Sequence, residues 1–184
     1  MYNWYVMSVW SGREKSLVKD IQNYDRNCSM EKYIEDSSMF VPTRETFFKR
    51  AGNIKKETSI MFPGYVFVET SMEAYDFLEY AKDLRRTFRN SVTVLRYGDS
   101  SEIAVRWEER LALMKLMDHE WCIETSRGFK ENDRVKITEG PLVGHEGLIK
   151  KIDRHKMKAL IEVEMFERRN LFEVGLQVIH NLAI

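Results

Sequence analysis

A chain of 184 residues has room for one large domain or two small ones. Its hydrophobic fraction of 43% and aromatic fraction of 12% suffice for packed cores, while 29 basic residues balance 29 acidic ones. Global charge therefore points to no nucleic-acid partner, and any such partner has to be argued from local patches. No stretch approaches the roughly 18 apolar residues needed to cross a bilayer. The opening residues Met1 to Tyr5 are strand-like rather than basic and then apolar, so no secretory signal is read there. Cys28 and Cys122 lie far apart without metal-type spacing and read as reduced thiols of a cytosolic protein.

Residues 4–10, aromatic and β-branched, read as a first strand that stops at Ser11-Gly12. Ser11 followed by Glu14 fits a capping box, and the helix it opens places Leu17, Val18, Ile21 and Tyr24 on one face. A short strand at Met39-Phe40-Val41 ends at Pro42. Residues 44–60 form a polar, mostly basic connection with a hairpin turn expected at Gly52-Asn53. Met61-Phe62-Pro63-Gly64 launches the strand Tyr65-Val66-Phe67-Val68. Thr70 and Glu73 offer a second capping box, for a helix reaching about Leu84 with Tyr75, Leu78 and Ala81 inward. Residues 91–97 read as a strand, and 106–121 as a third helix with Trp107, Leu111, Met114 and Trp121 on one face. This order predicts an α+β sandwich, an antiparallel sheet with helices packed on it.

After Trp121 the helical period is lost. Residues 122–128 read as a linker. Short strands follow at 134–138, 147–152, 159–165 and 177–179, punctuated by glycines at 140, 144, 147 and 175. Such a run predicts a small β-barrel over 129–184, near the lower size limit for independent folding. Gly144 and Gly147 are expected where the barrel is too tight for side chains.

Several motifs coincide in order. Trp4-Tyr5-Val6 with Ser11-Gly12-Arg13-Glu14-Lys15, then Val41-Pro42-Thr43-Arg44-Glu45, then Phe62-Pro63-Gly64-Tyr65-Val66-Phe67-Val68, resemble the N-terminal domain of the NusG family of bacterial transcription elongation factors. Asp133-Arg134-Val135-Lys136-Ile137, Glu139-Gly140-Pro141-Leu142 and Gly144-His145-Glu146-Gly147 resemble the KOW motif. Val163-Glu164-Met165-Phe166-Glu167-Arg168 resembles a further stretch of that domain. The resemblance implies an NGN-type α/β sandwich over 1–121, the linker, and an SH3-like KOW barrel over 129–184. It also implies a cytoplasmic protein with no cofactor and no membrane partner.

It further implies that an apolar sheet patch binds the clamp helices of the largest RNA polymerase subunit. Tyr5, Phe62, Tyr65 and Phe67 are the positions concerned, with core filling as the alternative. Lys49, Arg50, Lys55 and Lys56 lie in the segment that approaches the non-template DNA strand in the family, and Phe47-Phe48 could stack on bases. A solvated loop is the alternative there. Arg85, Arg86, Arg89 and Arg96 form a second basic run that departs from the family pattern; an ordinary charged helix end is the equal alternative.

The densest local charge is Lys150, Lys151, Arg154, His155, Lys156 and Lys158, opposed by Asp153. On a hairpin between barrel strands these side chains suit RNA phosphates, with Arg168 and Arg169 expected nearby. Leu142 stands where the family has phenylalanine, and Glu167 where it has glycine. Those positions belong to the end of the barrel that meets the termination factor Rho and a ribosomal protein, so both contacts are put in doubt. The pattern is most like the specialised LoaP group, antiterminators that recognise an RNA hairpin in a leader transcript. The alternative is a general NusG-type factor whose KOW domain is a protein adaptor for Rho or the ribosome. An enzyme is not expected: no phosphate-binding glycine loop, nucleophile elbow or metal constellation is present, and His119, His145, His155 and His180 have no evident partners.

Overall fold

The structure, a computed structural model, describes residues 2–27, 37–50, 52–89, 91–131 and 134–180. Cys28 lies outside the described residues, as do Asp133 and the side chain of Arg50. In chain order the first strands are β1 (Asn3–Ser8), β2 (Ser37–Phe40), β3 (Thr43–Arg50), β4 (Asn53–Ile60), β5 (Tyr65–Thr70) and β6 (Thr93–Val94). Those that follow are β7 (Cys122–Ile123), β8 (Ser126–Glu131), β9 (Arg134–Glu139), β10 (Ile149–Asp153), β11 (Lys158–Met165) and β12 (Arg168–His180). The helices among the described residues are α1 (Glu14–Asn27), α2 (Ala74–Thr87) and α3 (Trp107–Met114). By contacts the chain divides into two compact units, Met1–Pro42 with Phe62–Arg110, and Thr43–Met61 with Leu111–Ile184.

The first unit is built on an antiparallel sheet in the order β2-β5-β1-β6. Tyr5 pairs with Val68 and Met7 with Val66, so strand alternation sends these four side chains to one face. There they form a core with Leu17 and Ile21 of α1 and Phe77, Tyr80 and Leu84 of α2. The other face carries an aromatic cluster. Trp4 lies edge-on to Phe40 at 5.0 Å, Phe40 is 5.5 Å from Phe67, and Phe62 is 5.4 Å from Phe67.

Helix phases differ from the sequence reading. On α2 the buried residues are Phe77, Tyr80, Ala81 and Leu84, while Tyr75 is exposed. The helix starts at Ala74, later than Thr70 would have set it, because the Thr70 hydroxyl instead accepts the Met72 amide at 3.2 Å and closes a turn. Neither capping box forms. Helix α1 begins at Glu14 itself, whose carboxylate accepts the Gly64 amide at 2.7 Å as well as amides at the helix start, those of Gly12 and Glu14. Gly64, at φ +85°, holds a left-handed turn that a side chain would strain. Helix α3 ends at Met114 rather than 121, with Leu113 buried and Trp107 and Met114 exposed.

The second unit holds a five-stranded sheet in the order β10-β11-β12-β8-β9 and a three-stranded sheet in the order β4-β3-β7. Strand β12, expected only over 177–179, runs 13 residues. It pairs antiparallel with β11 as far as Gly175, then parallel with β8 from Leu176. One strand serving two partners joins β10–β11 to β8–β9 in this SH3-like domain, whose buried residues are Ile137, Leu142, Ala159, Ile161, Val163, Phe172, Val174 and Leu176. The mixed α/β first part and the small barrel match the expected fold class.

The stretch 122–128, read as a linker, carries β7 and the start of β8. Its polar residues are used structurally: Ser126 is fully buried and its hydroxyl accepts the Leu142 amide at 3.1 Å. The tight glycines are also not the expected ones. A Cβ at Gly144 or Gly147 meets nothing within 4 Å, whereas one at Gly175 would meet the Thr125 methyl at 2.5 Å and the Glu45 carbonyl oxygen at 3.3 Å.

Candidate nucleic-acid interface

Residues 44–60, expected as a basic connection, form the hairpin β3–β4, with Gly52 at φ +83° in its turn. Lys49, Lys55 and Lys56 are exposed. Cross-strand pairing sorts the residues by face: Arg44, Phe48 and Lys55 share one, while Glu45, Phe47, Lys49 and Lys56 share the other. Lys56 is tied to Glu45 at 2.9 Å. Burial pushes the Glu45 carboxyl up, but Lys56 and the Thr125 amide outweigh it and hold the group below the usual carboxylate range. Phe48 is half exposed at 50%, as stacking on a base requires, and Phe47 is partly covered.

Strands β10 and β11 form the second basic hairpin, joined by residues 154–157. Its turn is organised by Asp153, whose carboxylate accepts the Lys156 amide at 2.9 Å. That bond, with the charges of Lys156 and His155, holds the Asp153 carboxyl below its ordinary range. Lys150, Lys151, Arg154, His155 and Lys156 are exposed. Two cations are neutralised in part, Lys150 by Glu162 at 3.2 Å and Lys158 by Glu173 at 2.7 Å.

Arg168 and Arg169 do not join this group. They sit at the opposite end of β11, paired with Met165 and Glu164, about 23 Å from Lys158 at the usual strand rise. The turn beside them holds Phe166 and Glu167 at φ 52° and 60°, both left-handed without a glycine.

The proposed sheet patch is largely enclosed. Tyr5 (1% exposed), Phe67 (1%) and Phe62 (8%) are buried, and Tyr65 alone of the four keeps partial exposure. The reason is that both faces of β5 are covered. Tyr5 points toward the helices, stacks on Phe77 at 4.1 Å and donates its hydroxyl to the Met72 carbonyl at 2.9 Å, and burial raises its pKa to about 12. On the other face the Arg110 guanidinium lies 5.1 Å from the Trp4 ring and pairs with Glu69 at 2.7 Å.

The arginine run is dispersed. Arg85 and Arg96 line one pocket of about 200 Å³, while Arg89, at φ 52°, lines another of about 420 Å³ with Trp10 and Arg13. Among the described residues no three His, Cys, Asp or Glu side chains group as a metal site would need, and no helix is long and apolar enough to cross a membrane.

Arg44, one of the cations of the 44–56 segment, meets residues that the sequence does not mark as its neighbours, Phe172 and Glu173. The Arg44 guanidinium lies 5.6 Å from the Phe172 ring, and Glu173 is held low first by Lys158, with Arg44 and Lys156 adding to the effect. Nothing local joins the two, because Arg44 is more than a hundred residues from Phe172 and Glu173 in the chain.

Residues 2–114 match the family described as "Transcription termination factor nusG". The chain belongs to the NusG family. Residues 131–164 match the KOW motif that accompanies it here. Similar NusG proteins include "Transcription termination/antitermination protein NusG" of Halalkalibacterium halodurans, 27% identical over 177 residues, covering 94% of each chain. The protein of that name from Vibrio vulnificus is 25% identical and covers 93% of this chain and 91% of its own. That of Streptococcus pyogenes serotype M3 is 26% identical over 181 residues. A solved NusG structure, "Domain interaction in Thermotoga maritima NusG", aligns over 95% of this chain at 21% identity and a TM-score of 0.48.

Proposed function

We propose that this NusG-family protein is a transcription elongation and antitermination factor. In this reading residues 1–121 bind RNA polymerase at the clamp helices, and the KOW domain, 129–184, binds an RNA hairpin in the leader transcript. The protein then favours the processive state of polymerase by binding it more tightly than paused states, and so promotes terminator readthrough. Linkage to an RNA-bound domain raises the local concentration of the polymerase-binding one.

The observation that carries the RNA part is the β10–β11 hairpin, where Lys150, Lys151, Arg154, His155 and Lys156 are all exposed on a chain of zero net charge. A specialised paralogue, rather than a general factor with an adaptor KOW domain, is supported by Leu142 and Glu167. Leu142 is fully buried and leaves Val143 at the surface, and Glu167 occupies a left-handed turn without a glycine. In this reading polymerase docking falls at the start of β5, which bears Tyr65, the accessible member of its aromatic set. Lys49 and Lys56, on the face of β3–β4 turned away from Arg44, suit phosphates of the non-template strand.

A multi-round transcription assay on a terminator template tests the whole. Added protein is expected to raise readthrough, and unchanged pausing and readthrough would end the elongation reading. Tyr65→Ala is expected to weaken polymerase capture, and full capture by that variant removes the docking assignment.

A further inference from the structure

We propose that the two basic hairpins form one continuous polynucleotide tract, joined at Arg44, along which a single RNA stem lies. The proposal rests on the RNA reading above and extends it from the barrel hairpin to β3–β4.

The first ground is that β3–β4 belongs to the same compact unit as the barrel. Its base is fixed there by backbone. Thr43 and Arg44 pair parallel with Cys122 and Ile123, and the Thr43 amide donates to the Trp121 carbonyl at 2.9 Å. One residue on, the Glu45 carboxylate accepts the Thr125 amide at 3.0 Å.

The second ground is where that base sits. Gly175 lacks the Cβ that would meet the Thr125 methyl and the Glu45 carbonyl, so β3 approaches β12 closely at this point. Gly175 pairs with Lys158, the first residue after the basic turn, and the Leu176 amide donates to the Met157 carbonyl at 2.9 Å. The root of one hairpin is therefore at the mouth of the other.

The third ground is charge. Glu173 pairs with Lys158 at 2.7 Å and lies within the field of Arg44 and Lys156. Lys158, Arg44 and Lys156 thus stand around that one carboxylate, and the Arg44 guanidinium lies 5.6 Å from the Phe172 ring. Outward from Arg44, the same face of β3–β4 presents exposed Phe48 and Lys55, with Glu57 as its carboxylate.

From Arg44 to the hairpin turn is about 20 Å at the usual strand rise. An RNA stem, recognised through its backbone rather than its base edges, suits a tract of this length and charge. The exposed Phe48 ring would take an unstacked base at the end of the stem.

The test uses the full chain and a fluorescent RNA hairpin with a stem of about 16 base pairs, beside the same hairpin cut to about half that length. The pair Phe48→Ala with Lys55→Ala, on the Arg44 face, is expected to bind the long stem about tenfold more weakly and the short one as wild type. The pair Lys49→Ala with Lys56→Ala, on the opposite face, is expected to retain affinity to within twofold. Glu173→Gln, which removes the carboxylate, is expected to tighten long-stem binding severalfold.

Equal losses from both faces, or no loss from the Phe48 and Lys55 pair, overturn the joined tract. In that case the barrel triple Lys150→Ala, Lys151→Ala and Arg154→Ala decides the RNA reading separately: weakened binding to both stems keeps it, and wild-type binding ends it. Displacement of the RNA by polyglutamate at equal charge concentration assigns the tract to an acidic protein instead and overturns the proposal.

Discussion

In the first unit, helix α1 buries two carboxylates, Glu14 at 1% exposure and Asp25 at 6%, each answered by a backbone amide or a tyrosine hydroxyl. In the second unit Lys150, Lys151, Arg154 and Lys156 are exposed, and the carboxylates that meet Lys150 and Lys158 lie across neighbouring strands. Equal numbers of acids and bases in the sequence hide this division. A charge inside has one fixed partner and acts on stability. A charge outside exchanges its partners with solvent and is available to a ligand, because exposed ion pairs are worth little.

The largest expected effect probes the joint of the second unit. Gly175→Ala forces a methyl against the Thr125 side chain and is expected to cost about 1–3 kcal/mol in urea unfolding. Thr125→Ser, which removes the clashing methyl, should recover part of that loss in the double variant. An unchanged midpoint for Gly175→Ala would mean that the close approach of β3 and β12 does not constrain the fold.

Next comes Glu14→Gln. Burial raises the Glu14 carboxyl, but backbone amides led by that of Gly64 outweigh it and hold the group low. A depressed carboxyl contributes stability that is full above its unfolded value near 4.5 and is lost as pH falls through the folded one. The variant is expected to lose about 1–3 kcal/mol at neutral pH and to flatten the acid limb of the stability profile.

Asp25→Asn is expected to act with the opposite sign and a smaller size. Burial raises the Asp25 carboxyl despite the Tyr80 hydroxyl that donates to it at 2.7 Å. Its contribution is therefore full below about 3.8, the unfolded value, and declines as pH rises through the raised one. The amide keeps an acceptor for Tyr80 without the buried charge. It should be neutral or stabilising by up to about 1 kcal/mol at pH 7, read by thermal melts across pH. A large loss at pH 7 would show that the ionised form is required.

The smallest effect is expected for Lys151→Ala with Arg154→Ala, within about 0.5 kcal/mol of wild type, as for exposed residues generally. A marked loss would erase the contrast between the two units.

Much of this was legible in the chain. Alternation in Tyr65-Val66-Phe67-Val68 and the glycine framework after residue 139 marked the two architectures, because period and turn chemistry are local properties. The helix starts were not legible. Ser11 and Thr70 offered good caps, yet Glu14 found the Gly64 amide fifty residues away and Thr70 closed its own turn. The aromatic patch misled for a related reason: the motif names the residues, but what covers Phe62 and Phe67 comes from distant segments.

The sequence by itself determined the fold class, the position of the basic turn at 154–157 and the family, all of which rest on residue order over short spans. Only the tertiary structure decided which cations stand together. It put Arg168 and Arg169 at the far end of β11, and brought Arg44 to Phe172 and Glu173. Strand length sets the first separation and the close packing of β3 on β12 the second, and neither is a property of neighbouring residues in the chain.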